Sequence, residues 1–208
     1  MIHNKKNKNF VYLISPSKIE NHKFYNNLSL VLKSGKVCFF QLRLKNETNQ
    51  NKLIIGKKIK FICKKYKVKF IVNDEPLLAK KLNADGCHLG QEDTSIITAK
   101  KIIKKKIVGI TCHNKRNLAK KAEENGADYL AFGAFFKTET KNVKYFANIG
   151  ILKWAKKNIK IPIVAIGGIN DKNFKSILKN GADYIAITSY VWSNKNYSPL
   201  KAIKKLYF

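Results

Sequence analysis

Acidic residues and arginine are both scarce in this chain of 208 residues. Asp and Glu number 13 against 42 Lys and Arg, which leaves a net charge of +29, and Arg43 and Arg116 are the only arginines. So basic a chain ordinarily suggests a nucleic-acid partner. The lysines are spread along the whole chain, however, and arginine is the side chain that reads guanine edges. We therefore expect no specific nucleic-acid partner; weak, salt-sensitive binding of nucleic acid and attraction of phosphorylated small molecules both fit the charge.

Paired cysteines and long apolar runs are also missing. The run from Phe10 to Ile14 is too short for a signal peptide, and no run approaches the roughly 20 residues of a membrane span. The cysteines are isolated, in no CxxC or disulfide pattern, which indicates a reducing compartment; they are Cys38, Cys63, Cys87 and Cys112. We expect a soluble, cytoplasmic protein without a membrane partner. The sequence does not indicate an oligomeric state.

Short β-branched or aromatic runs alternate with lysine-rich segments of helical period along the chain. The pattern predicts strands at 10–14, 37–42, 69–72, 86–89, 107–110, 129–132, 163–166 and 184–187. Helices are predicted between and after them, near 22–34, 50–66, 75–83, 95–105, 115–125, 148–158, 172–180 and 198–206.

An internal repeat supports this reading. Three similar segments each close a helix and open a strand: NADG (83–86), GADY (126–129) and GADY (181–184). Recurrence of one αβ loop is expected where the same unit is used around a ring. Eight βα units in a chain of this length predict an α/β fold, a single-domain (β/α)8 TIM barrel over residues 1–208. A doubly wound open sheet is the alternative.

Two carboxylates follow neighbouring predicted strands. Asp74 comes after the third strand and Asp93 after the fourth, and the C-terminal ends of adjacent parallel strands lie side by side. In a chain poor in acid, this pair suggests a hard cation that holds an anionic substrate. The alternative is that Asp74 caps the next helix and Asp93 lies in a solvated turn.

Three cations are predicted on the same rim. Arg43, Lys45 and Lys141 would share the barrel mouth with the carboxylates, because the chemistry of such barrels lies at the C-terminal strand ends. Carboxylates that hold Mg²⁺ and cations that take the remaining oxygens suit a bound diphosphate. Structural ion pairs across the mouth are the alternative.

A phosphate site is predicted beyond the last two strands, where glycines and hydroxyls occur together. Glycine lets backbone N–H groups approach an anion, and a short helix over 189–194 would add its N-terminal dipole. The alternative is an ordinary tight turn. The residues concerned are Gly167, Gly168, Thr188 and Ser189.

Two Cys-His pairs, at 87–88 and 112–113, lie on neighbouring predicted strands and raise the question of a zinc site. Strand alternation sends the Cys and the His of each pair to opposite sides. We therefore expect His88 and His113 to line the pocket or the edge of the core, with zinc or a Cys-His nucleophile as minor alternatives.

Six segments in order resemble the thiamine phosphate synthase family: QLRLK (41–45), ND (73–74), ADGCHLGQED (84–93), GITCH (109–113), GADYLAFG followed by TETK (126–141), and IPIVAIGGI (161–169). The resemblance implies a TIM-barrel transferase of thiamine biosynthesis. Such an enzyme joins 4-amino-2-methyl-5-(diphosphooxymethyl)pyrimidine to a thiazole phosphate, and releases diphosphate.

The resemblance also implies site residues. Asp74 and Asp93 would bind the Mg²⁺ cofactor, and Arg43, Lys45 and Lys141 would act catalytically on the leaving diphosphate. The residues implied for the pyrimidine diphosphate are Gln41, Arg43, Lys45, Asn73, Thr111 and Lys141. Those implied for the thiazole phosphate are Thr138, Glu139, Thr140, Gly168, Thr188 and Ser189.

Several positions depart from the family pattern. Ala134 and Lys137 stand where prolines are usual, Thr111 where serine is usual, and Thr188 where an aliphatic residue is usual. The related thiazole tautomerase family, an isomerase on the same fold, would carry a histidine at the position of Ala134. A basic barrel that binds phosphate or nucleic acid without turnover is the non-enzymatic alternative.

Overall fold

The chain folds into a closed barrel of parallel strands in the order β1 to β8, surrounded by helices. The structure, a computed structural model, describes residues 10–19, 22–137 and 146–207. The strands are β1 Val11–Ile14, β2 Val37–Leu42, β3 Lys69–Asn73, β4 Gly86–Leu89, β5 Ile107–His113, β6 Tyr129–Gly133, β7 Ile163–Ile166 and β8 Tyr184–Ile187. The helices are α1 His22–Lys33, α2 Asn49–Lys65, α3 Pro76–Lys81, α4 Ile96–Ile103, α5 Arg116–Glu124, α6 Ile149–Asn158, α7 Phe174–Lys179, α8 Ser189–Trp192 and α9 Pro199–Lys205.

The predicted TIM barrel is confirmed, and the open sheet is excluded by pairing of the first strand with the last. Val11 is in register with Val37 on one side and with Ile185 on the other. Strands buried on both faces read as continuous apolar runs, as the fully buried VYLI of β1 and YIAI of β8 show.

Alternation along the strands divides the core into two layers. Side chains such as Leu13 and Phe40 point outward and pack against the helices. The interior of the barrel is filled by the other set, which includes Tyr12, Phe39, Ile71, Tyr129, Val164 and Tyr184. At the carboxyl end of the interior the alternation continues into polar residues, which are Gln41, Asn73, His88 and Thr111.

The repeated αβ loops share one mechanism of stabilisation. Asp85, Asp128 and Asp183 each accept a hydrogen bond from the backbone N–H of a residue at the start of the preceding strand, at 2.7 to 2.9 Å. Each also pairs with a lysine, at 2.5 to 3.2 Å. The first residue of each loop, Asn83, Gly126 or Gly181, has a positive φ of 45°, 83° or 117°, the conformation that often ends a helix.

Several element boundaries differ from those predicted by one to three residues, and the largest difference is at the carboxyl end of β5. β3 continues to Asn73, and β5 continues to His113. β5 passes through an irregularity between Thr111 and His113 in its pairing with β6, which a simple strand pattern does not show. Within residues 10–19, 22–137 and 146–207, no helix combines the length and the apolar character needed to cross a membrane.

Candidate active site

The two predicted carboxylates meet at the rim. Asp74 follows β3 with a φ of 63°, and its N–H donates to the carbonyl oxygen of His88 on β4 at 2.7 Å. Burial raises the pKa of the Asp93 carboxyl, and the adjacent Asp74 carboxylate raises it further. The Gly90 N–H, which donates to Asp93 at 2.6 Å, and the Lys45 ammonium group both act in the opposite direction.

These contacts decide between the two interpretations of the pair. The N-cap position of α3 is occupied by Glu75, whose side chain makes no cap hydrogen bond. Asp74 lies one residue before the cap position and therefore does not cap that helix. Asp93 does lie in an exposed turn, which it closes through Gly90. Its carboxyl nevertheless faces Asp74, and the repulsion between two such carboxylates favours a bound cation.

The cations of the rim are divided between described and undescribed residues. Lys45 Nζ lies 3.3 Å from Asp74 Oδ2, with the two side chains 52% and 25% exposed. An ion pair across the mouth therefore exists, as the alternative interpretation held, and it brings a cation directly to the carboxylate pair. Arg43 follows β2 and is half-buried, and its backbone N–H donates to Ser15 Oγ at 2.9 Å. Lys141 lies outside the described residues.

A cavity of about 180 Å³ opens beside Asp74, between the ends of β2 and β3 and the helices α2 and α3. Its walls include Lys45, Asn73 and Asp74 together with Lys52 and Glu75. The last two form an ion pair of 2.5 Å in which the Lys52 side chain is only 12% exposed. Sequence reasoning missed both, because their 23-residue separation hides a contact that only packing of α2 on α3 creates.

A chain of hydrogen bonds crosses the barrel interior below the rim. Gln41 Nε2 donates to Tyr12 Oη at 3.3 Å, and Tyr12 Oη lies 2.7 Å from Tyr129 Oη. His88 continues the chain, with Nδ1 2.9 Å from Tyr129 Oη and Nε2 2.9 Å from Thr111 Oγ1. Two residues predicted to bind the pyrimidine diphosphate, Gln41 and Thr111, are thereby the two ends of one network.

The interior is shaped for this network. A Cβ on Gly109 would lie 1.9 Å from Tyr129 Cζ, so only glycine leaves room for that ring on the neighbouring strand. Burial lowers the pKa of His88 to about 4, which the charge of Asp93 only partly opposes, and the imidazole is neutral at pH 7. Tyr12 and Tyr129 were not predicted as functional. The sequence feature that could have revealed them is a hydroxyl on strand residues that alternation places inside the barrel.

Alternation along β4 separates Cys87 from His88, as predicted, which argues against a zinc site or a Cys-His nucleophile formed by this pair. His88 faces the interior, whereas Cys87 and Cys112 are buried in the layer between strands and helices. Burial raises the pKa of both thiols to about 12, so neither is a thiolate at neutral pH. All four cysteines are free, and no three His, Cys, Asp or Glu side chains of the described residues gather into a metal site.

The predicted phosphate end is built by a close approach of two loops. Gly167 and Gly168 have φ values of 101° and 64°. A Cβ on Gly168 would lie 2.5 Å from the carbonyl oxygen of Lys137, in the loop after β6. Phe136 N–H donates to Gly167 O at 3.1 Å. The glycines thus have a packing role that sequence reasoning did not assign, and they hold this loop against the end of β7.

The last strand contributes Thr188 and Ser189. Ser189 begins α8, the short extra helix expected at this position, which ends at Trp192 rather than Asn194. The Thr188 hydroxyl donates to the carbonyl oxygen of Ser15 at 3.1 Å, so its side chain stabilises the rim and leaves the backbone for a ligand. The remaining residues predicted here, Thr138, Glu139 and Thr140, lie outside the described residues.

Comparison with known proteins identifies the family that the chain resembles along most of its length. A family model described as thiamine monophosphate synthase matches residues 11–191. The chain is 65% identical over 206 residues to a thiamine-phosphate synthase of Pelagibacter ubique, covering 99% of this chain and 100% of that protein. It is 40% identical over 185 residues to one of Rhodospirillum centenum, covering 88% and 89%. A solved thiamine phosphate pyrophosphorylase from Pyrococcus furiosus superposes with a TM-score of 0.85 at 32% identity, covering 96% and 94% of the two chains.

Proposed function

This chain belongs to the thiamine monophosphate synthase family, and from that membership we propose that the carboxyl-end rim of its barrel is the active site. The enzyme is a transferase of thiamine biosynthesis with thiamine-phosphate synthase activity. Its substrates would be the aminopyrimidine diphosphate and the thiazole phosphate named above. The observation that carries the site assignment is the meeting of Asp74 and Asp93 beside Lys45.

The carboxylate pair fits Mg²⁺. Two hard oxygen donors, completed by substrate phosphate and water, are a usual environment of this ion. Burial raises the pKa of Asp93, and the Asp74 carboxylate raises it further through a repulsion that a cation would relieve. Asp74 and Asp93 would hold the ion through their carboxylate oxygens. When bound, Mg²⁺ would neutralise charge on the diphosphate and favour its departure.

The cations of the chain would act on the same charge. Lys45 lies beside the carboxylates. Arg43 precedes it by two residues, just after β2. Arg43 and Lys141 are proposed for the same role from the family resemblance. As the C–O bond to the pyrimidine methylene breaks, its electron pair leaves with the diphosphate. Each cation that stabilises the growing anionic charge would contribute about 3–4 kcal/mol.

The second substrate would need no general base. The lone pair of the thiazole nitrogen forms the new C–N bond directly, so no proton has to be removed. An electron-rich aminopyrimidine stabilises positive charge on its methylene carbon, which makes a dissociative path favourable. The chain would contribute by holding both substrates in line, with Gln41, Asn73 and Thr111 on the pyrimidine.

The thiazole phosphate would bind at the end of β7 and β8. The backbone around Gly168 and the start of α8 at Ser189 supply N–H groups, and Thr188 holds this segment to the rim through Ser15. Thr138, Glu139 and Thr140 are proposed from the family resemblance to close the site. The four free cysteines fit a reducing compartment, and we propose the cytoplasm.

Turnover of the purified protein tests this assignment. Given both substrates and Mg²⁺, it should release diphosphate and form thiamine phosphate in equal amounts, and a chelator should stop both. Failure to release diphosphate at any Mg²⁺ concentration would contradict the assignment. Isomerisation of a thiazole carboxylate without coupling would instead favour the tautomerase.

A further inference from the structure

We propose, on the basis of the function proposed above, that Tyr12, Tyr129 and His88 form a positioning relay. The relay fixes which atoms of Gln41 and Thr111 are presented to the substrate. In this arrangement Thr111 offers its hydroxyl proton, and Gln41 offers its carbonyl oxygen. His88, Tyr129 and Tyr12 act through these two residues and need not touch the substrate themselves.

The relay is continuous and enclosed. Its four hydrogen bonds measure 3.3, 2.7, 2.9 and 2.9 Å from Gln41 to Thr111. Gln41, Tyr12 and Tyr129 are 2%, 1% and 3% exposed, so water does not replace a missing partner. The rings are also held by packing, since His88 and Tyr129 stack with centroids 5.5 Å apart at 15°.

The direction of the hydrogen bonds follows from counting protons. Gln41 donates an amide proton to Tyr12, so Tyr12 Oη is an acceptor at that contact. Among the hydrogen bonds of the described residues, the only other partner of Tyr12 Oη is Tyr129. Tyr12 therefore donates to Tyr129, because the reverse direction would leave a buried hydroxyl proton without an acceptor.

The same count fixes the histidine. Tyr129 Oη accepts a hydrogen bond from the Tyr12 hydroxyl, so its own hydroxyl donates to His88 Nδ1. A neutral imidazole with an acceptor at Nδ1 carries its proton on Nε2, and this proton is donated to Thr111 Oγ1. The hydroxyl proton of Thr111 then points to another acceptor.

The two ends acquire opposite polarity. Thr111 presents its hydroxyl proton as a donor. The NH2 group of the Gln41 side chain faces Tyr12, so Gln41 presents its carbonyl oxygen as an acceptor. An aminopyrimidine carries the complementary groups, ring nitrogens that accept and an exocyclic amine that donates. A site with fixed donors and acceptors discriminates against rings in which these groups are exchanged, such as an oxopyrimidine.

The tautomer of His88 gives a test that does not depend on turnover. The chain contains four histidines, and ¹⁵N labelling of histidine, with His88→Gln to assign the signal, reports which imidazole nitrogen carries the proton. We expect the Nε2–H form at pH 7 in the folded enzyme. An Nδ1–H form would overturn the relay direction, whether or not the enzyme turns over.

Kinetics test the consequence for substrate. Tyr129→Phe removes one oxygen atom, breaks the relay in the middle and frees Nδ1 of His88. We expect the KM for the pyrimidine diphosphate to rise about tenfold, as for one lost hydrogen bond, while the KM for the thiazole phosphate stays unchanged. Tyr184→Phe is the matched control, since this tyrosine also packs inside the barrel but is not in the relay.

Two substitutions at His88 separate its contacts. In His88→Gln the amide N–H can still reach Thr111, whereas in His88→Asn the shorter side chain can still accept from Tyr129 but loses Thr111. We expect the KM for the pyrimidine diphosphate to rise less in His88→Gln than in His88→Asn. If Tyr129→Phe, His88→Gln and His88→Asn all affect both KM values equally while the enzyme remains active, the relay is overturned and the proposed function stands. If the unmodified enzyme releases no diphosphate, the proposed function itself is overturned.

Discussion

Replacement of Asp93 by asparagine separates the functional charge of the carboxylate pair from its structural contacts. The Gly90 N–H donates to Asp93 Oδ2 at 2.6 Å, and the carbonyl oxygen of an asparagine can accept the same hydrogen bond. Asp93→Asn therefore removes one negative charge beside Asp74 and leaves the turn intact. If the pair holds Mg²⁺ and substrate, activity and stability should change in opposite directions.

The expected loss of activity is large. One of the two protein ligands of the proposed ion is weakened, and kcat/KM for the pyrimidine diphosphate should fall about 100-fold, similar to the loss of one charge-stabilising group in other active sites. Raising the Mg²⁺ concentration should restore part of the rate. Glu92→Gln is the matched control, because it removes the neighbouring exposed charge and should keep the unmodified rate.

The expected change in stability has the opposite sign. Because the folded-state pKa of Asp93 is raised, the folded protein binds its proton more tightly than the unfolded chain does, and stability falls as the pH rises through that pKa. At neutral pH and without metal, Asp93→Asn should therefore raise the free energy of unfolding. The gain should stay below about 1 kcal/mol, since the carboxyl is largely solvated, or roughly 2–4 °C in Tm.

The assay pairs diphosphate release with thermal unfolding, each with and without Mg²⁺. The ion should raise the Tm of the unmodified protein and should raise that of Asp93→Asn less. A variant that loses activity and stability together would show that Asp93 is structural. A variant that keeps full activity would remove the proposed metal site.

Three further predictions concern the frame of the barrel, the loop after β6 and the overall charge. Asp183→Ala removes the acceptor of the Ile163 N–H and should cost about 2 kcal/mol of folding stability, or roughly 4–8 °C in Tm, with both KM values unchanged; a changed KM would contradict a purely structural role. Gly168→Ala should raise the KM for the thiazole phosphate several-fold, because its Cβ would meet Lys137 O at 2.5 Å. Gly35→Ala is its control, since Gly35 has a similar φ of 72° and nothing within 4 Å, and equal effects of the two would refute the loop contact. Finally, the charge of +29 should attract phosphorylated substrates, so kcat/KM should fall by roughly an order of magnitude from 0.01 to 0.15 M salt, and a rate independent of salt would exclude such attraction.

Local patterns in the sequence were enough to predict the barrel. Strand and helix periods are properties of neighbouring residues, and the recurring loops at 83–86, 126–129 and 181–184 repeat one unit visibly. The same reasoning placed Asp74 and Asp93 together, since adjacent parallel strands end at the same edge. It correctly separated Cys87 from His88, because alternation along a strand is also local.

Contacts between residues that are distant in sequence could not be predicted from local patterns. Tyr12 and Tyr129 are 117 residues apart, and no local period indicates that their hydroxyls meet inside the barrel. The Lys52–Glu75 pair and the seating of the loop after β6 on Gly168 likewise depend on how finished elements pack. The raised pKa of Asp93 depends on burial and on the position of its neighbour, which are properties of the assembled rim.

Periodicity and motifs of adjacent residues are enough to predict the fold class, the family and the rim at which the chemistry is expected. The proposed polarity of the site, in contrast, depends on contacts between strands that are far apart in the sequence. In the hydrogen-bonded relay that links Gln41 to Thr111, the proton positions depend on how side chains from strands β1, β2, β4, β5 and β6 face one another. Hydrogen bonding is directional and short-ranged, so the arrangement exists only once the barrel has closed.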